Sequence, residues 1–289
     1  MSTVLAAALA SGCLTGLVAV GIVMIFRTSG IVNFAQGEFM TLAAYVYIPL
    51  TRDHASAVEE LLLTILAGLV LGVVFFAITE LFLARAEPLI QMMATFALSL
   101  LIVSLAANLK GSQTIPVPGW YQSNVRIHVL GTYLTGAEII SVVAAVVIIG
   151  LLTFVVRATP LGKDIEAVAE DRRAASLCGI SPRRTIALSW MIGGALTGLA
   201  GLLYAPLAGV TPTMGANELF PAFVAATLGG FSSVTGAAIG GIAVGVVGGL
   251  ADYYLGGGSI DVVAVFALLI VVLLLKPSGF GGRLELRRI

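Results

Sequence analysis

Long apolar runs separated by short polar breaks dominate this chain, and the runs carry no polar stripe of the kind that marks a half-solvated helix. Apolar stretches lie near residues 4–26, 31–50, 61–83, 89–108, 137–157, 185–206 and 260–276. Each approaches the roughly 20 residues that carry an α-helix across a bilayer. A further glycine-rich run covers 220–254 and is interrupted at residues 231–236 by FSSVTG. The pattern predicts an all-α polytopic membrane helical bundle. It has about eight transmembrane segments, with a glycine-rich broken or re-entrant hairpin near 220–254. A β-barrel would show alternating segments of about ten residues instead.

Charge then orients the runs. Arg157, Lys163, Arg172, Arg173, Arg183 and Arg184 crowd the connection between the fifth and sixth spans, and Lys276, Arg283, Arg287 and Arg288 lie at the C-terminal end. The positive-inside rule places both regions in the cytoplasm. Counting back puts Arg27 and Arg85 inside, Arg52, Lys110 and Arg126 outside, and the N-terminus outside. Because Arg184 and Lys276 share a side, an even number of crossings separates them. The run at 220–254 must therefore dip and return, or cross twice, which gives seven crossings plus a hairpin, or nine. No basic residue precedes Arg27, so the first run is expected to be a retained span and not a cleaved leader.

Composition narrows the function classes. Charged residues make up 10% of the chain and net charge is zero, so the basic surface of a nucleic-acid-binding protein is absent. Two cysteines and two histidines, widely separated, offer no metal-ligand spacing, and no cofactor is expected. No Ser–His–Asp set, HExxH or paired aspartates falls within a span, which argues against an intramembrane enzyme. Of the 34 glycines, 17 fall between Gly193 and Gly258. Several are four apart (Gly194/Gly198, Gly236/Gly240, Gly241/Gly245, Gly245/Gly249), the spacing that lets helices approach closely. This half is expected to be the packed scaffold.

The polar residues buried in the runs are the candidate chemistry. Asn33, Gln36 and Glu38 cluster at the start of the second run, with Gly37 between them. A carboxylate facing acyl chains costs roughly 2.5–3.5 kcal/mol on insertion scales, so such residues face protein or a water-filled path. They are candidates for a translocation path, joined by Gly229 and Gly230, where unwound backbone could present helix dipoles. Asn33 also suits a helix N-cap, with Gln36 three residues on in the position of a capping box. Glu38 sits seven residues into the run and is expected near the cytoplasmic face. Glu80, Glu138, Asp252 and Asp261 are expected to be surface charges at the ends of their spans.

The connection at 158–184 reads as ordered. Pro160 suits a first helical turn, alanines fill 167–177, Gly179 follows as a stop, and Leu161, Ile165, Val168 and Leu177 make a partial apolar face. A short pair of amphipathic helices presented to a partner is the expectation.

Four segments together resemble one known family. GIVNFAQGEFMTLAAYV, AVAEDRRAASLCGISPRRTIALSWMIGGALTGLAGLL, AFVAATLGGFSSVTGAAIGG and KPSGFGG resemble, in order, motifs of the permease subunits of branched-chain amino acid ABC importers, the LivH-like group. Gln36 stands where that family commonly has histidine. The resemblance implies a single permease domain over 1–289 in the bacterial inner membrane, with a coupling loop at 158–184 and a cytoplasmic tail at 277–289. It implies as partners a homologous second permease subunit (or a second copy), two cytoplasmic ABC ATPase subunits, a soluble substrate-binding protein and membrane lipid. It also implies that Glu170, Asp171, Gly179 and Ile180 belong to the element that seats in the ATPase. No Walker A pattern occurs, so another polypeptide must hydrolyse ATP. The cargo is expected to be a branched-chain or related amino acid, with urea or a short amide as the alternative. An ion-coupled secondary transporter would need titratable pairs at mid-membrane, and the sequence places its carboxylates near the faces.

Overall fold

The computed structural model describes residues 2–52, 56–117, 126–129, 132–256, 260–276, 279 and 281. The tail at 277–289 is therefore described only at Gly279 and Gly281. Arg283, Arg287 and Arg288 lie outside the described residues, as does His54.

Among the described residues eleven α-helices follow one another: α1 (Ser2–Ser29), α2 (Gln36–Arg52), α3 (Ala57–Phe76), α4 (Pro88–Lys110), α5 (Gly136–Ala158), α6 (Pro160–Glu170), α7 (Arg172–Leu177), α8 (Pro182–Ala208), α9 (Met214–Gly229), α10 (Val234–Leu255) and α11 (Ile260–Leu275). α3 continues as a π-helical turn over Ala77–Phe82. Helix starts are written locally. Pro88, Pro160 and Pro182 occupy first-turn positions where a missing N–H costs nothing. Ser56 with Glu59, and Thr135 with Glu138, form full capping boxes. Glu138 is thus a cap as well as a surface charge.

Among the described residues six helices, counting α3 with its π turn, are long and apolar enough to cross a membrane, and α11 is a shorter apolar helix. α2 and α9 have only 17 and 16 residues. The expected all-α bundle is thus found, while counting long helices does not reproduce the expected eight spans. One element was not foreseen: a two-stranded antiparallel hairpin, β1 (Arg126–Val129) with β2 (Thr132–Thr135), pairing Arg126 with Thr135 and Val129 with Thr132.

α1 is the centre of the bundle. In its most apolar stretch 83% of residues are buried, against 22% in α4 and α5. It packs on α10, α8, α9 and α5. The outward faces of α3, α4, α5 and α11 expose Leu62, Leu100, Phe154 and Leu274, an apolar exterior suited to lipid. Glycine sets the closest contacts. Gly241 and Gly245 of α10 lie against Gly12 and Gly16 of α1, and Gly194 of α8 against Gly68 of α3, with no room for a Cβ at either crossing. The small-residue spacing read in the second half therefore has its complement in α1 and α3.

Candidate translocation path and coupling loop

The chain leaves α1 at Ser29 and does not begin α2 until Gln36. Residues 30–35 run non-helically, and α2 starts level with Gly193 and Thr197 of α8: Gln36 Nε2 donates to the Gly193 carbonyl at 3.0 Å and to Thr197 Oγ1 at 2.6 Å. Those two residues sit near the middle of the 27-residue α8, so α2 begins about 20 Å into the bundle. Glu38 is accordingly at mid-height, not near the cytoplasmic face as its place in the apolar run implied. The segment 30–35 is non-helical throughout, with Gly30 at φ 71° and a turn at 34–35, so α2 begins only after the chain has re-entered the bundle.

Asn33 behaves only partly as a cap. Its Oδ1 accepts from the Ala35 N–H at 3.0 Å, an Asx turn leading into the helix. Its Nδ2 donates to Gln36 Oε1 at 3.0 Å. Gln36 does not close a capping box but reaches across to α8. Asn33, Gln36 and Thr197 are fully buried and engaged with one another, a polar strap that ties the start of α2 to α8. Glu38 is 1% exposed. Its Oε1 accepts from Ser99 of α4 at 3.2 Å, while Oε2 is buried with no hydrogen-bond partner among the described residues.

α9 mirrors this arrangement. After α8 ends at Ala208, residues 209–213 turn back, and Val210 pairs with Ile115. α9 then starts against the start of α2: Gly215 lies on Gly37, backbone to backbone, and the Gly215 N–H donates to Thr41 Oγ1 at 2.9 Å. Two half-length helices thus meet N-terminus to N-terminus at mid-height and run to opposite ends. Glu218, in the second turn of α9, accepts from Thr15 Oγ1 at 3.2 Å, level with the middle of α1, and is bonded to Tyr204. Sequence reasoning passed over Glu218 and held that the carboxylates cluster near the faces. Glu38 and Glu218 are both at mid-height, because α2 and α9 begin part-way through the bundle and not at its end.

Gly229 and Gly230 are not beside this cluster. They close α9 at its other end, where Gly230 takes the left-handed conformation (φ 83°) and Gly229 packs on Gly236 and Ala237 of α10. The Gly281 N–H donates to the Gly229 carbonyl at 3.2 Å. The break between helices falls at residues 230–233, close to the expected position. It packs by Phe231 on Phe26 near the end of α1 (ring centroids 4.8 Å apart). From mid-height, α9 therefore reaches the end where α1 finishes, and α10 returns along α1. The run at 220–254 is no shallow dip: with 209–213 it makes two passages, the first broken. A row of rings joins the two sites, Phe34 to Phe223 (6.5 Å) and Phe223 to Phe231 (5.3 Å), with Phe96 edge-on to Phe34 (6.1 Å). These phenylalanines are too far apart in sequence for any local pattern to have grouped them.

At the end where α1 finishes, the connection at 158–184 folds as the helix pair α6–α7. Ile165 and Val168 are buried against the bundle, while Glu170 and Asp171 are exposed at the joint. Asp171 is the N-cap of α7, its Oδ1 accepting from Arg173 N (2.7 Å) and Ala174 N (3.1 Å). Those backbone donors, to Ala174 first, hold its carboxyl below the usual aspartate range. α7 ends in a Schellman motif: Ile180 N donates to Ala175 O and Gly179 N to Ser176 O, with Gly179 at φ 84°. Ile180 turns inward, half-buried against the apolar cluster that includes Val168 and Ala175. The exposed apolar residue is Leu177, 91% exposed. Glu80, expected at the surface, is mostly buried and paired with Arg172 at 3.5 Å. Asp252 is exposed, as expected.

Residues 4–284 match the family described as "Branched-chain amino acid transport system / permease component". The high-affinity branched-chain amino acid transport system permease protein LivH of Salmonella typhimurium is 30% identical over 96% of this chain and 94% of its own length. The corresponding protein BraD of Pseudomonas aeruginosa is also 30% identical, with the same coverage. A probable LivH permease of Methanocaldococcus jannaschii is 28% identical over 92% of this chain and 88% of its own. No solved structure matches. With a polytopic bundle and a near full-length match on the page, the chain belongs to the family of branched-chain amino acid transport permease components.

Proposed function

We propose that this chain is a membrane-spanning subunit of an ABC importer that passes branched-chain amino acids through the membrane, with hydrolysis on separate ATPase subunits and delivery by a soluble binding protein. Near full-length similarity to LivH and BraD permeases carries the reading. In this picture the α6–α7 end is cytoplasmic, the N-terminus and the hairpin face outward, and a second permease subunit completes the pathway. The junction of α2 and α9 is the barrier. Asn33 and Gln36 hold it shut by pairing with each other and with α8. When the junction opens, the same amides and the free oxygen of Glu38 become available to a zwitterion, and the phenylalanine row accompanies its apolar side chain. Weak contacts suit this role, since tight binding at mid-membrane would trap the cargo.

The docking face for the ATPase is the exposed edge of α6–α7: Glu170 at the joint and Leu177 beside Gly179, with Asp171 and Ile180 shaping the helix pair from within. The deciding experiment is uptake and ATP hydrolysis by the complex purified on this chain and reconstituted in liposomes with its binding protein. Leucine, isoleucine or valine should stimulate both, and urea neither. Uptake driven by an ion gradient in the absence of nucleotide would overturn the reading.

A further inference from the structure

Arg172, the first residue of α7, does not point towards the exposed edge of its helix. Its Nη2 donates to the carbonyls of Thr28 (2.9 Å) and Ser29 (2.6 Å), the last two of α1. Those carbonyls have no successor residues in the helix to accept from and carry the negative end of its dipole, so a guanidinium is the complementary group. Its Nη1 lies 3.5 Å from Glu80 Oε2. Glu80 belongs to the π-helical turn of α3, a geometry that recurs where a helix must yield. One side chain therefore joins three elements: the cytoplasmic pair, the end of the central helix, and the distortable end of α3. The same residues border an open hollow of about 450 Å³, so the contact is not sealed in a rigid core.

The chain that follows the gripped carbonyls is the segment at 30–35. Gly30 has φ 71° and stands clear of any neighbour, while Ser29 Oγ accepts from Ile31 N at 3.2 Å. Four residues beyond Ser29 lies Asn33 of the polar strap. α6 is also attached to the bundle, by the apolar contacts of Ile165 and Val168 and by Glu166, whose carboxylate lies 3.9 Å from Arg27 of α1; Glu166 is largely exposed, so that pair is solvent-screened and weaker than the Arg172 grip.

We propose that Arg172 is the positioning residue that transmits movement of the α6–α7 pair to the end of α1 and, through 30–35, to the α2–α9 junction. The inference rests on the importer reading above. Arg172 touches neither cargo nor ATPase; it acts by making displacement of α7 displace Ser29.

The test measures ATP hydrolysis and leucine uptake in the same liposomes, for the complete complex carrying wild-type chain, Arg172→Ala, Arg172→Lys or Glu80→Gln. Arg172→Ala should assemble with the ATPases and retain hydrolysis within about twofold, while leucine carried per ATP falls about tenfold, the scale of losing charge-assisted hydrogen bonds. Arg172→Lys, which can reach one carbonyl but cannot fork, should fall between, and Glu80→Gln should be milder. Uptake and hydrolysis falling in parallel, or an unchanged ratio, would overturn the proposal. So would failure of all three variants to assemble, since that assigns Arg172 a structural role. If Arg172→Ala alone fails to assemble, the ratios of the other two decide by the same criterion. A wild-type complex that shows no ATP-dependent uptake would instead sink the importer reading itself.

Discussion

Gln36 shows what a single side chain does in this bundle. It is fully buried, and its amide bonds to Asn33, Gly193 and Thr197. Gln36→Leu keeps the volume but strands the buried Asn33 amide N–H, at about 1–3 kcal/mol, while the Gly193 carbonyl keeps its bond from Thr197 Oγ1 (2.9 Å). The purified chain should then melt several degrees lower in detergent, as followed by intrinsic fluorescence. Asp171 makes a different point, because it is solvent-exposed and its work is local. Its carboxyl is held below the usual aspartate range by the Ala174 and Arg173 amides. That contribution is complete above the unfolded pKa of about 3.9 and is lost as pH falls through the depressed folded value. Protection of the Arg173 and Ala174 amides from exchange should therefore be constant from pH 5 to 8 and be lost only in stronger acid. Asp171→Ala should lose it at every pH, whereas equal protection in the variant at pH 7 would refute the cap. The stop at Gly179 was legible, since the residue type dictates the local geometry, whereas the sequence offered a capping box at Asn33 and the side chain instead makes an Asx turn. The partner of Gln36 was not legible, because it lies 157 residues away.

At the scale of elements, small residues decide which helices can touch. Gly241 and Gly245 of α10 meet Gly12 and Gly16 of α1 with no space for a side chain. Gly245→Val should force the two apart at a cost of about 1–3 kcal/mol or more, visible as a lower yield of monodisperse protein on size exclusion. Gly150, exposed on α5 with nothing near its Cβ position, is the control, and Gly150→Val should behave as wild type. Helix existence followed from apolar runs and their caps. Helix starts at α2 and α9 did not, because hydropathy registers a residue's preference for the bilayer and is blind to whether its backbone is helical. Residues 30–35 are apolar enough to extend the second run, yet they are non-helical.

For the whole molecule, orientation is open to a direct check with the two native cysteines. Cys178 is exposed at the end of α7 and Cys13 is buried within α1. A membrane-impermeant maleimide should label the chain once, at Cys178, in inside-out vesicles and leave it unlabelled in right-side-out ones. The reverse pattern would invert the proposed topology. Positive charge carries this proposed assignment: with Arg283, Arg287 and Arg288 at the tail, twelve of the fifteen Lys and Arg residues fall on one side when alternate runs are taken as crossings.

What the sequence by itself determined is what the bilayer demands of any chain: continuous apolar helices, charges at their ends, caps and stops from local chemistry, and membership of a family through motifs kept in order. What the tertiary structure decided is depth and partnership. It put Glu38 and Glu218 at mid-height, met α2 with α9 through Gly37 and Gly215, gathered four phenylalanines into a row between them, and set Arg172 on the end of α1. The physical reason is common to all four. Hydropathy, capping and charge bias act between neighbours or between residue and solvent, and so leave a trace in local sequence. Contacts between residues on different helices, tens to hundreds of positions apart, depend on how helices cross, which no local pattern records.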